Sequence, residues 1–212
     1  LSDIVNFPLF VASILVLLIT PGPDLAYVVG QSIANGRRSG VISAAGVALG
    51  SCTHAIASAI GLTALIAASP AIFAVIKYCG ASYLIYLGGK MLYSASRQKR
   101  QAENAPPRST VSTRNLLSRG VITTITNPKV LLFFVAFFPQ FVSVNGEHQT
   151  LSFLILGFTY AIVGFLTDAA FALLAGGAAG AVAGNNRLRR WMDRAVGATF
   201  IALGIRIALA RR

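Results

Sequence analysis

Acidic residues are scarce in this chain: 212 positions hold only six Asp and Glu against eighteen Lys and Arg, and charged residues of both signs make up 11%. A soluble domain of this length needs far more charge to solvate its surface, so the composition argues against one. Cysteine is nearly absent as well. Cys52 and Cys79 stand alone inside apolar runs, with no CxxC pair, which argues against a disulfide framework, a zinc site and paired-thiol redox chemistry. No G-x4-G-K-[ST] loop is present, so ATP-driven pumping by this chain alone has no phosphate cradle.

What fills the chain instead is apolar. Hydrophobic residues make up 55% of it, the mean hydropathy is +0.71, and the apolar residues come in long runs. The reading is an all-α polytopic membrane protein. Runs long enough to cross about 30 Å of hydrocarbon fall at 7–34, 41–68, 71–93, 119–142, 151–184 and 195–210, giving six expected transmembrane helices. The first has no basic flank, carries Asp3 and is followed by five more, so it is expected to be retained rather than cleaved as a signal.

The net charge of +12 would suggest nucleic acid in a soluble protein. Here the bases gather in short connections: Arg37 and Arg38 in the first, Arg97, Lys99, Arg100, Arg108 and Arg114 in the third, and Arg187, Arg189, Arg190 and Arg194 in the fifth. The positive-inside rule makes those connections cytoplasmic and both termini periplasmic, although Arg206, Arg211 and Arg212 pull the other way. The expected partners are the lipid bilayer, protons and a small solute, with no nucleic acid, and a homo-oligomer is compatible with the sequence.

Residues 95–118 are polar, with Pro106-Pro107, and read as a basic cytoplasmic linker. They divide the chain into two three-helix units, 1–94 and 119–212. An odd number of spans per unit sends the second into the membrane from the opposite side, as an inverted repeat requires.

The first helix of each unit is interrupted. The first carries Thr20-Pro21-Gly22-Pro23-Asp24 and the fourth Thr126-Asn127-Pro128-Lys129, each after an isoleucine. Proline removes a backbone donor, so Pro21 and Pro23 free the carbonyls of Leu17 and Ile19. An aspartate at the bilayer centre costs roughly 2.5 to 3.5 kcal/mol. Broken backbone is tolerated there only inside protein or along a polar cavity, and matched breaks in corresponding helices are a pointer to a transporter binding site.

Asp24 reads as a binding group for a substrate ammonium, a proton carrier, or a cap on the half-helix after the break. Lys129 reads as its ion-pair partner across the pseudo-two-fold or as a group for a substrate carboxylate. Asn127 and the threonines Thr20, Thr123, Thr124 and Thr126 are expected to satisfy the carbonyls that the prolines free. The amides after Pro23 and Pro128 offer a further place for a carboxylate. Asp168 shares a helix face with Tyr160 and Gly164 and is a candidate for proton coupling. His54 follows Gly46 and Gly50 at intervals of four: that face is expected to pack against another helix, with His54 either bonded to it or relaying protons. Gly176, Gly180 and Gly184 read as a packing ridge.

Thr20 to Asp24, Gly36-Arg37-Arg38-Ser39-Gly40, Gly46-x3-Gly50-x3-His54, Gly80-Ala81-x-Tyr83-Leu84-x2-Leu87-Gly88, and Asn127-Pro128-Lys129 with Phe138-Pro139-Gln140-Phe141 together resemble the LysE/RhtB family of bacterial amino acid exporters. The resemblance is specific in 20–54 and 120–141 and weak after about residue 150. It implies a six-helix inner-membrane carrier that exports a small amino acid or derivative by proton antiport, with no enzyme activity and no cofactor. Residues alone reach a secondary transporter with a midplane site at Thr20, Pro21, Gly22, Pro23, Asp24, Asn127, Pro128 and Lys129. Asp24, Asp168 and His54 are the candidates for proton coupling. The alternative is export of a divalent cation such as cadmium, for which the apolar segments offer few ligands.

Overall fold

A computed structural model describes residues 3–68, 111–143 and 146–175, with isolated helical positions between 75 and 93 and between 194 and 209. The third and sixth expected spans, the linker up to residue 110 and the glycine ridge at Gly176, Gly180 and Gly184 lie outside the described residues, apart from those positions.

The protein is all-α. Among the described residues, the one extended pairing is an isolated antiparallel bridge between Ile4 and Val142. The first apolar run is two helices: α1 (Phe7–Ile19) ends at the first proline, and α2 (Pro23–Asn35) begins at the second. Proline at the first helical position costs α2 nothing, because the amide it lacks would be unpaired there anyway. The two helices meet at an angle of 53°. Gly36 then turns the chain at φ 90°, a backbone region that favours glycine, and α3 (Arg37–Ala68) runs back for 32 residues.

The fourth expected span opens earlier than hydropathy suggests. Ser112 caps α4 (Thr113–Ile125) by accepting the amide of Asn115 at 3.3 Å, so the helix takes in residues from the end of the expected linker. After the second break come α5 (Pro128–Leu132), a π-helical turn over Phe133–Phe137 and a 3-10 turn over Phe138–Phe141. This stretch is bent from α4 by 50°. Both matched helices are therefore broken and bent to nearly the same degree. The last described helix is α6 (Gln149–Leu174).

α3 and α6 are each long and apolar enough to cross a membrane, and each bent pair has the length and composition for one more crossing. Their outer faces expose apolar side chains at helical spacing, Leu49, Ile56 and Ile60 on α3 and Phe158, Ile162 and Leu166 on α6. Lipid is the solvent such a surface suits.

The Gly46-Gly50-His54 face of α3 packs directly on α4. A Cβ on Gly46 would lie 2.5 Å from the Leu117 carbonyl oxygen, one on Gly50 would lie 2.7 Å from Thr124 Cβ, and one on Gly120 would lie 2.8 Å from the Ser43 carbonyl oxygen. Small residues here let two backbones touch. The other core is aromatic: Phe10 of α1, Phe133, Phe134, Phe137, Phe138 and Phe141 around the π turn, and Tyr160 of α6 form one buried cluster. Phe10 meets Phe138 and Phe141 edge-on, each at 5.3 Å between ring centres.

The amino-terminal residues are tied to the connection after the second break. Val5 donates to the Phe141 carbonyl at 2.9 Å and Ser143 to the Asp3 carbonyl at 2.8 Å, and the Asp3 carboxylate accepts the His148 amide. The start of α1 and the connection before α6 thus share one end of the protein.

Candidate transport site at the two helix breaks

Residues 20–22 leave the helical region before α2, with Thr20 at ψ 125° and Gly22 fully extended. The second break is shorter and rests on Asn127 at ψ 107°. Residues far apart in the chain meet here. Lys129 Nζ donates to the carbonyls of Leu17 at 3.1 Å and Thr20 at 3.2 Å, and a Cβ on Gly22 would lie 3.0 Å from the same nitrogen.

The freed carbonyls are shared out in an unexpected way. Pro21 deprives Leu17 of its helical donor, and the Thr20 amide, at 3.2 Å, and Lys129 fill the gap. Pro128 does the same to Thr124, whose carbonyl accepts the Asn127 amide at 3.0 Å and lies 3.1 Å from His54 Nε2. A carbonyl only accepts, so His54 carries its proton on Nε2. Each of these two carbonyls thus has a backbone amide and a side-chain donor, which suits an apolar surround where an unpaired carbonyl costs several kcal/mol.

The threonines do something else. The hydroxyls of Thr20, Thr123 and Thr126 donate to Val16 at 2.6 Å, Arg119 at 2.7 Å and Ile122 at 2.7 Å, each four residues back in its own helix. They do not reach the carbonyls that proline frees, which corrects their expected role. The expected amide site after Pro128 is also taken, because Asn127 Oδ1 accepts the Lys129 amide at 3.0 Å.

Around the breaks stand three buried polar atoms with no hydrogen-bond partner among the described residues: Asp24 Oδ1, Thr124 Oγ1 and Asn127 Nδ2. They belong together. The groups within electrostatic or near hydrogen-bonding reach of the Asp24 carboxylate are Asn127, Lys129, Thr124 and His54. Asp168, 3% exposed on α6, lies within reach of both Asp24 and Lys129. Tyr160, one turn beyond Gly164 on that face, is within reach of both carboxylates. Leaving a buried polar group unpaired costs about 1 to 3 kcal/mol, and three from two segments gathered here make the breaks a candidate binding place.

All the candidate residues are thus accounted for. Thr20 is buried and ends α1, Pro21 and Gly22 are half-buried, and Pro23 and Pro128 are exposed. Asp24, Asn127 and Lys129 converge, Asp168 joins them electrostatically, and His54 is bonded to the second break. Thr124 and Phe134 were not singled out as binding groups. Thr124 resembles its neighbours in sequence and differs only in where its hydroxyl points, and Phe134, whose ring lies 5.5 Å from that of His54, is one of several phenylalanines in its run.

The chain matches the LysE type translocator model over residues 15–211. It is 36% identical over 165 residues to a leucine efflux protein of Enterobacter sp. (strain 638), covering 77% of this chain and 76% of that one. To a leucine efflux protein of Klebsiella pneumoniae it is 31% identical over 207 residues, covering 97% and 95%. To one of Salmonella choleraesuis it is 33% identical over 162 residues, covering 76% and 75%. No solved structure matches it. With its apolar spans and paired helix breaks, the chain is a membrane transporter, not an enzyme, and it belongs to the LysE type translocator family.

Proposed function

We propose that this chain exports leucine or a similar aliphatic amino acid across the bacterial cytoplasmic membrane, in exchange for protons, through a site between the two helix breaks. The observation that carries this reading is the convergence of Asp24 Oδ1, Thr124 Oγ1 and Asn127 Nδ2, all buried and without a partner among the described residues. Asp24 and Thr124 offer oxygens to an ammonium, and Asn127 Nδ2 and Lys129 offer donors to a carboxylate. That set is complementary to a zwitterion. The aromatic wall of Phe134 and Tyr160 beside it suits an aliphatic side chain. Relatives named leucine efflux proteins support the same class.

The charge balance supports proton exchange. Two acids, Asp24 and Asp168, face one lysine, Lys129, in an apolar surround, where an unmatched charge is costly. A proton or the substrate ammonium can offset it. Competition between the two for one carboxylate is the logic of an antiporter, and the Pro-Gly-Pro break gives a hinge for alternation between two states.

Efflux from proteoliposomes loaded with a panel of amino acids, with and without a pH gradient, tests the reading. Leucine or a close aliphatic relative is expected to leave fastest, and a gradient to accelerate it. Cadmium flux without amino acid flux would overturn it. The donors at the site are carboxylate, hydroxyl, amide and ammonium, which suit a zwitterion better than a soft cation.

A further inference from the structure

Lys129 makes an unusual use of a buried charge. Its ammonium donates to two neutral carbonyl oxygens, Leu17 at 3.1 Å and Thr20 at 3.2 Å, while the carboxylates of Asp24 and Asp168 act on it only through their charge. Both carbonyls belong to the first break, and the lysine belongs to the second. The side chain therefore ties one half of the chain to the other.

Its two bonds differ in how replaceable they are. The Leu17 carbonyl keeps the Thr20 amide when the lysine leaves. The Thr20 carbonyl has its natural helical partner in the amide of Asp24, four residues on, which the extended backbone at Gly22 keeps away in this state. Straightening the first break supplies that bond. The Pro-Gly-Pro segment thus has two self-consistent arrangements, bent with Lys129 attached or straighter with Lys129 released.

We infer that Lys129 is a latch on the first break that the carboxylate of the substrate releases, so that the carboxylate is required for transport as well as for binding. This rests on the reading of the breaks as an amino acid site. A carboxylate outcompetes neutral carbonyls for an ammonium, because charge-assisted hydrogen bonds are roughly twice as strong as neutral ones. A ligand shifts a conformational equilibrium only by its difference in affinity for the two states, and here the carboxylate gains its ammonium only when the latch opens. An amine with the same side chain and no carboxylate occupies the Asp24 side and leaves the latch shut.

Counterflow in proteoliposomes tests this with leucine and leucinamide, which differ only in replacement of the carboxylate by a neutral amide. Rates are corrected for protein-free liposomes. Internal leucine is expected to drive uptake of labelled leucine at least tenfold faster than internal leucinamide. Gly22→Ala retains the lysine but places a methyl about 3.0 Å from Nζ, crowding the ammonium off its carbonyls, so leucinamide is expected to gain on leucine at least threefold. Rates for leucine and leucinamide within twofold of each other in the wild-type protein would overturn the latch and leave the amino acid site standing. Absence of exchange with any amino acid of the panel would overturn the site and the latch together.

Discussion

The ammonium of Lys129 lies 3.1 Å from the carbonyl oxygen of Leu17, the oxygen that Pro21 deprives of its helical donor 112 residues earlier in the chain. The partner of one break is thus a residue of the other. The lysine of the second break completes the first, and this contact ties the first and fourth helices together at the breaks.

Thr124→Val separates binding from stability. The Thr124 hydroxyl is buried and has no partner among the described residues, so its replacement by a methyl removes no native bond. Thermal unfolding in detergent is expected at an unchanged or slightly higher temperature. Leucine binding is expected to weaken by about 0.5 to 1.5 kcal/mol, or about twofold to twelvefold in Kd. A loss of stability with unchanged affinity would place the hydroxyl in the fold rather than the site.

His54 donates to the Thr124 carbonyl, which gives it a structural role. His54→Ala is expected to cost about 0.5 to 1.5 kcal/mol by removing this hydrogen bond, since the carbonyl keeps the Asn127 amide. His54→Gln retains a donor and should recover much of the loss. The pH profile of transport by the glutamine variant is expected to follow that of the wild type. A flattened profile would return His54 to proton relay.

The contact between α3 and α4 depends on absent side chains. At Gly46 and Gly120 a Cβ would meet backbone atoms at 2.5 and 2.8 Å, whereas at Gly61 nothing lies within 4 Å. Gly46→Ala and Gly120→Ala are each expected to destabilise by about 1 to 3 kcal/mol through overpacking, with Gly61→Ala near neutral. Melting temperatures of the three purified variants check this.

Asp168 and Asp24 are expected to differ in function. Asp168 acts on Asp24 and Lys129 through its charge, and Asp24 also presents an unpaired oxygen to the site. Asp168→Asn should retain leucine exchange and lose at least tenfold of the acceleration by a pH gradient. Asp24→Asn should lose both. Equal behaviour of the two variants in both assays would remove the distinction.

Much of this arrangement is legible in the sequence because proline and glycine in an apolar run are local violations that need no alignment to detect. The broken helices at Thr20 to Asp24 and Asn127 to Lys129 and the glycine face of α3 follow from spacing alone. What spacing does not reveal is which donor serves which carbonyl. Nothing near Thr124 in the chain points to His54, 70 residues away, and the threonines beside each break look equally suited until the helices are packed. The π turn at Phe133–Phe137 is hidden for a similar reason: a run of phenylalanines has no period that separates one helical winding from another. Asp168 is visible as an acid in a span, but its place beside Asp24 is a property of the assembled helices.

The central claim is that both breaks build one substrate site, and equilibrium binding of labelled leucine to the purified protein tests it most directly. Asp24→Asn alters the first break and Asn127→Ala the second. Each is expected to raise the Kd at least tenfold in protein that still folds. A Kd within twofold of the wild type in both folded variants would contradict the account.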